Sequence, residues 1–393
     1  MTSSGRQRTV SLREFAILGA MAVNCLGAAN AHALQWRSGV IESIPLDAEY
    51  GRVSWVGAAG NGRILAVLDP SGADGRVVVA DRGGPARQIG RNGGGPGEYG
   101  QLDAVVVQAD SVYVYDRLRR RITQLSLVSG GGSTRTAAVV PRDARCTWFL
   151  EVESSALCRV LVQDPRTRVA LASHYYIVRR DPAGNMKETP LVSVEFSPRG
   201  TLVTGAGQVT LTRWFSWEQR FAVSPDGHTV AVVRQSQRGR NARVVVELHD
   251  LTSGAMRSWE VSRQTRVPTK AERRRMVAKE VTTLREGLSL GNPGVAAALS
   301  ATVVERAMDL PEAFPPFTHI HVSDGGCVWL KDAASGIAEG PLSRYELFDR
   351  NGRSKGVGDW HERLALQGVD CQQAFALAYG HPDGPRIVRV ALP

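Results

Sequence analysis

The pair His319-Ile320-His321 is the arrangement in this chain best suited to ligand chemistry, because alternation along a β-strand sets both imidazoles on one face. Two imidazoles fall short of the three or four ligands that zinc takes. No third histidine or carboxylate can be assigned to them from spacing, so both are carried as ligand-binding candidates and no metal ligands are assigned. A second candidate is the glycine-dense run Gly90-Arg91-Asn92-Gly93-Gly94-Gly95-Pro96-Gly97-Glu98-Tyr99, in which Arg91 and Glu98 are the charged groups a loop would present. Its end, Gly95-Pro96-Gly97-Glu98-Tyr99-Gly100, matches G-x-G-x-x-G. That fingerprint binds a dinucleotide when it follows a strand and opens a helix whose amino end receives the pyrophosphate. Here Pro96 stands between the glycines and β-type sequence follows, so a structural loop between sheets is expected.

Other chemistries leave no signature. There is no G-x-S-x-G elbow, no H-E-x-x-H and no phosphate-binding P-loop. Asp103, Asp226 and Asp324 fall at turns, where a structural role already accounts for them. Two basic clusters, Arg117, Arg119, Arg120 and Arg121, and Lys270, Arg273, Arg274, Arg275 and Lys279, lack the interleaved aromatic residues that stack on nucleic-acid bases, so no nucleic-acid partner is expected. The whole chain carries a net charge of +10, of which Arg6, Arg8, Arg13 and Glu14 account for +2, leaving +8 for the remainder. A basic surface of that size favours anionic partners.

Those residues sit in a framework that begins with an address. Residues 1–33 read as a signal peptide: three arginines precede the uncharged run from Phe15 to Leu26, and Ala31-His32-Ala33 supplies small residues for cleavage. The apolar run is short of the roughly 20 residues of a spanning helix, so the mature chain is expected to be exported, periplasmic or extracellular, with no integral membrane span. Asn24 occupies the place where a small residue precedes a lipidated cysteine, so cleavage is expected in preference to anchoring through Cys25. The four remaining cysteines, Cys146, Cys158, Cys327 and Cys371, permit disulfides in an oxidising compartment. Cys146 with Cys158 is the favoured pair, since their spacing suits two strands of one sheet; buried free thiols are the other reading.

From residue 34 to 393 strand-rich units recur about every 45 to 50 residues, the length of a four-stranded blade. Runs such as Arg76 to Asp81 and Val112 to Asp116 end at turn residues, and Thr229 to Val233 follows the strongest turn, Pro225-Asp226-Gly227: Pro presets φ, Asp bonds its own backbone and Gly accepts positive φ. Six units are counted, the last one strand short, and Gly39 to Ile44 is available to complete it and close a ring. The expected fold is therefore all-β, a six-bladed β-propeller. Residues 268–310 interrupt it with helical composition, Val277, Val281 and Leu284 recurring at helical spacing and Asn292-Pro293-Gly294 separating a second helix, Val295 to Leu310. This insertion, between blades four and five, is placed to cover one face of the ring, either as a lid or as a plug.

The run Gly90 to Tyr99 with Tyr113-Val114-Tyr115-Asp116 and Arg121-Ile122, together with Ser224-Pro225-Asp226-Gly227, resembles exported bacterial six-bladed propellers related to the NHL-repeat and TolB-like families. That resemblance implies a fold and little about activity. The functional expectation is a binding or scaffold module for a protein, peptide or glycan, without a cofactor and more a binder than an enzyme. The alternative is a metal-dependent propeller enzyme, lactonase- or lyase-like, using Ca²⁺ or Zn²⁺.

Overall fold

The computed structural model describes residues 35–36, 39–45, 53–59, 63–68, 75–80, 86–100, 102, 104–116, 119–136, 146–163, 170–195, 201–204, 207–210, 217, 219–288, 293–308, 310, 312–335, 342–361, 364–378 and 386–391. The expected signal peptide, Cys25 and Asp103 lie outside them. Two strands open the described chain, β1 (Gln35–Trp36) and β2 (Gly39–Pro45). An antiparallel sheet follows, β3 (Val53–Ala59), β4 (Arg63–Leu68), β5 (Arg76–Ala80) and β6 (Ala86–Ile89), and then a short parallel pair, β7 (Arg91–Asn92) and β8 (Glu98–Tyr99). Two further sheets are built from β9 (Ala104–Gln108), β10 (Ser111–Asp116), β11 (Arg121–Ser126) and β12 (Gly132–Thr136), and from β13 (Cys146–Val152), β14 (Ser155–Gln163), β15 (Ala170–Arg180) and β16 (Met186–Glu195). A hairpin, β17 (Thr201–Thr204) and β18 (Gly207–Thr210), leads to the sheet of β19 (Arg220–Val223), β20 (Thr229–Arg238), β21 (Asn241–Asp250) and β22 (Met256–Gln264).

Three helices intervene, α1 (Lys270–Leu288), α2 (Pro293–Ala298) and α3 (Ala301–Ala307). The insertion thus lies between two sheets, but its second half is two helices rather than one. The break falls at Ser300, whose hydroxyl caps α3 by accepting the Val303 N–H at 3.3 Å. The chain resumes with β23 (Phe317–Val322), β24 (Val328–Asp332), β25 (Leu342–Phe348) and β26 (Ser354–His361), and ends with β27 (Leu364–Val369), β28 (Gln373–Ala378) and β29 (Arg386–Ala391).

The strand count corrects the expected ring of six like blades. Five sheets have four strands each, the last of them completed by β2, which pairs antiparallel with β29. The sheet of β23–β26 departs from them with five strands, because β1 adds parallel to its outer strand, Gln35 opposite Val357 and Trp36 opposite Gly358. The architecture is therefore five four-stranded blades of an all-β propeller, with the β1-bearing sheet set apart by its extra strand and the helical insertion just before it. Within five residues the amino-terminal segment contributes to two neighbouring sheets. Ring closure comes from β2 on β29 and from β3 packing against β27.

Apolar side chains fill the space between successive sheets. In β24, Val328 and Leu330 face Val233, Val244 and Val246 of the preceding sheet, while Trp329 turns the other way to meet Ala374, Ala376 and Val388. A strand covered on both faces reads as an unbroken apolar run, as Val328-Trp329-Leu330 does. Cys327 and Cys371 form a disulfide, with Cα atoms 5.4 Å apart, that joins the β23–β26 sheet to the β27–β29 sheet. Cys158 is also disulfide-bonded. The side chain of Cys146, its expected partner, lies outside the description.

Candidate functional site

The first strands of the sheets pack against one another, β19 on β23, β23 on β27 and β9 on β13, which places them innermost around an axis. Each has a sheet partner on one side only. All four residues of β19 are half-buried, whereas Val230 to Val233 in the adjoining β20 are buried. Water therefore reaches the inner edge of β19 and of β23, where Thr318, Ile320 and His321 are half-buried and His319 is exposed.

His319 and His321 share one face of β23 as alternation requires: His319 pairs with Lys331 and His321 with Trp329. Nδ1 of His319 lies 3.1 Å from the Thr318 hydroxyl, and the His321 ring stands 6.4 Å from the Tyr345 ring. His319 touches solvent but is closely surrounded. Burial first, then the Lys331 and Arg220 charges, pulls its pKa down to about 4. Burial, then His319 and Lys331, does the same to His321, also to about 4. Both rings are neutral at pH 7, the form that binds metals, yet the charges acting on them belong to cations, which oppose a metal ion. Among the described residues, no group of three or more His, Cys, Asp or Glu is arranged to hold one.

The innermost hairpin turns lie at one end of the axis, and the β19–β20 turn, Ser224-Pro225-Asp226-Gly227, reaches other sheets from there. Pro225 O accepts the Val107 N–H at 2.8 Å, and Asp226 O accepts from Gln108 Nε2 at 3.1 Å, both on β9. Gly227 has φ +77°, and a Cβ there would meet Val106 Cγ1 at 3.0 Å and Leu150 Cδ2 at 3.2 Å. Only glycine satisfies both the conformation and the space. The Asp226 N–H donates to Asp324 Oδ1 at 2.9 Å, joining this turn to the β23–β24 turn. Asp324 keeps contact with solvent, yet burial and the Asp226 and Asp370 charges raise its carboxyl to about 7. Sequence reading saw Asp226 and Asp324 as separate turn residues. The signal for their meeting was present, since equivalent turns of successive repeats point to the same end of a ring.

The glycine-dense loop is an internal brace. Arg91 and Glu98 pair at 2.6 Å, and Glu98 also accepts the Gly95 N–H at 2.7 Å, a hydrogen bond that holds its carboxyl below the usual range. Arg119 donates to Gly93 O at 2.6 Å and Arg121 to Gly94 O at 2.7 Å, so two arginines of the first basic cluster bind loop carbonyls. Tyr99, buried beneath the loop, accepts the Val77 N–H at 3.2 Å. The loop joins the first two sheets, and its two candidate residues contact each other rather than the histidines.

The insertion is fastened where it leaves and re-enters the sheets. Arg266 and Phe314 form a β-bridge, the Arg266 guanidinium lies 4.8 Å from the Phe314 ring centroid, and Arg266 also pairs with Glu272 at 2.7 Å. Thr269 and Glu272 complete a capping box at the start of α1, Thr269 N–H to Glu272 Oε2 at 2.8 Å and Glu272 N–H to Thr269 Oγ1 at 3.2 Å. Met276 anchors α1 against Phe314 and Ala333, and α2 and α3 lie beside β18 and β17. Because the chain enters β23 from this insertion, it sits at the axis end opposite the Asp226–Asp324 turns. Gln235 fixes that entry: its side-chain amide exchanges two hydrogen bonds, each 2.9 Å, with the Phe317 backbone.

Antiparallel sheets whose first strands surround an axis, packed face to face and closed by joining the two chain ends, define a β-propeller. No family model matches the chain, and no curated protein does. Similar solved structures include a candidate exported protein of Bacteroides fragilis (11% identity, TM-score 0.41, covering 90% of this chain and 94% of that one). Others are the propeller domain of the Trilobed protease of Pyrococcus furiosus (10%, 0.35, 86% and 81%) and the WD40 domain of Toxoplasma gondii coronin (9%, 0.38, 92% and 87%). These TM-scores lie below one half, so the propeller assignment rests on this chain's own sheet order. The similarity to NHL-repeat and TolB-like six-bladed propellers is not upheld, since no family model supports it and the blade series is five four-stranded sheets with one irregular. No helix among the described residues is long and apolar enough to cross a membrane.

Proposed function

We propose that the protein is an exported binding module, a β-propeller that holds a protein, peptide or glycan at its axis by rigid display rather than by catalysis. The observation that carries this reading is the inner edge of β19 and β23, where water-accessible side chains are surrounded by protein. Such a concave opening with a few polar groups among apolar ones is the usual form of a ligand site. The insertion, stapled at Arg266 and Phe314, narrows access from one end and favours a segment or small ligand over a broad surface. The test is a peptide and glycan array probed with the mature chain and with His321→Trp, which fills the opening. Binding that is lost in the variant while its melting temperature is kept supports the module. Binding that is equal in both, or one equivalent of Ca²⁺ or Zn²⁺ with a chelator-sensitive melt, overturns it, the latter in favour of a metal-dependent enzyme.

A further inference from the structure

The ring end that carries the insertion has a basic rim. β20 and β21 run on past their inner neighbour β19, and the turn that joins them exposes Arg238, Gly239 and Arg240. This tip lies beside the approach to α1: the Thr265 N–H donates to Arg240 O at 2.8 Å, and Asn241 stands opposite Gln264 in the β21–β22 ladder. Val267, two residues on from Thr265, is 65% exposed, although Pro268 beside it is buried. Lys270 and Arg274 follow, one turn apart on the exposed side of α1. Among the described residues no ion pair holds Arg238, Arg240, Lys270 or Arg274. Arg273, Arg275 and Lys279 of the same helix engage in interactions of their own. Residues 236–241 and 264–274 contain one carboxylate, Glu272, which is buried and binds Arg266 at 2.7 Å. On the returning chain Glu312 is exposed and opposes the four cations with a single charge.

We propose that this rim docks on an anionic lipid surface, with Val267 entering the headgroup layer and Arg238, Arg240, Lys270 and Arg274 pairing with lipid phosphates. Cations around an exposed apolar side chain match a bilayer surface, which offers both phosphate and hydrocarbon. A soluble polyanion offers only the first. Each Lys or Arg brought to such a surface strengthens binding about fivefold, and one opposing carboxylate leaves most of that attraction in place. Docking in this way turns the Asp226–Asp324 end of the axis outward. The rim is a different surface from the axial opening, so the assignment stands or falls independently of the binding-module reading.

The test is co-sedimentation of the mature chain with vesicles of phosphatidylcholine alone and of phosphatidylcholine mixed equally with phosphatidylglycerol, at low and high salt. The expected result is binding to the mixed vesicles only, weakened by salt. Arg238→Gln with Arg240→Gln, and Lys270→Gln with Arg274→Gln, should each weaken it about 25-fold, about fivefold for each charge removed. Arg353→Gln with Lys355→Gln removes the same charge from exposed positions at the β25–β26 turn and should leave binding nearly unchanged. Val267→Ser should weaken binding about fivefold through lost apolar contact. Equal binding to the two vesicles, salt-insensitive binding, or a loss in the control pair as large as in a rim pair overturns the assignment. Should a rim variant fail to fold, the wild-type comparison of vesicles and salt decides alone. Wild-type affinity in folded Val267→Ser, or retention on immobilised heparin without vesicle binding, also overturns it, in favour of a soluble polyanion.

Discussion

Replacing Cys327 and Cys371 together by alanine removes the covalent link between the β1-bearing sheet and the sheet completed by β2. Alanine is preferred to serine because Cys327 is buried and a hydroxyl there would lack a partner. The bridge closes a loop with a sequence separation of 44. Loop-closure entropy for a loop of that length amounts to about 13 cal/mol/K, or about 4 kcal/mol at 25 °C, of added freedom for the unfolded chain once the bond is gone. The unfolding entropy of a chain of this size is about 0.75 kcal/mol/K, so the melting temperature should fall by about 5 °C. Chemical denaturation at pH 7, followed by tryptophan fluorescence, should show the midpoint moving down with the slope changed only slightly. Substitution isolates this bond, whereas a reductant would also attack the disulfide of Cys158. A midpoint unchanged within about 1 kcal/mol would refute the reasoning, and would mean that β2 on β29 and the Trp329 contacts already restrain the same boundary.

Three further outcomes follow from the geometry. Asp324 carries a carboxyl raised from 3.8 to about 7 in the fold, so the folded state holds an extra proton between those values and stability is lost as pH rises through that window; Asp324→Asn should therefore gain stability over wild type at pH 8 and lose that advantage near pH 4, measured by paired melts. His319 and His321, lowered from 6.5 to about 4, act in the opposite sense, stability falling as pH drops from 6.5 to 4, so His321→Gln should flatten the acid limb of the wild-type profile. Gly227→Ala places a side chain at φ +77° and 3.0 Å from Val106, and should cost about 2 kcal/mol or more in denaturant unfolding, a value that a fully tolerated alanine would contradict.

Much of the framework was legible because it is encoded locally. Strands such as Val112 to Asp116 and Thr229 to Val233 announce themselves by β-branched content and by the turn residues that bound them, Asp116 after the first and Pro225-Asp226-Gly227 before the second, and Gly39 to Ile44 had the length to complete the last sheet. β1 escaped notice because two residues carry no periodicity; only the ladder to Val357 and Gly358 reveals it, and with it the five-stranded sheet that breaks the expected series. The second half of the insertion read as one helix because Val295, Leu299 and Val303 keep helical spacing across the break, and the Ser300 cap was overlooked. At the site, the shared face of His319 and His321 follows from alternation alone. Lys331 and Arg220 do not, because their nearness to His319 depends on cross-strand register and on how one sheet packs on the next. The same reason hid the Asp226–Asp324 contact and the Cys327–Cys371 bond, whose partners stand 98 and 44 residues apart.

The placement of β1 and β2 bears on when the protein can fold. These strands precede every other described strand, yet their partners, β26 and β29, come late among the described residues. Two sheets therefore stay incomplete until β26 and β29 have been made, and β1 and β2 must wait without their hydrogen-bonding partners. Pairings this distant in sequence make folding slow. A chain arranged in this way is kept from closing early by its own topology, and during that delay its unpaired strand edges are exposed to other chains.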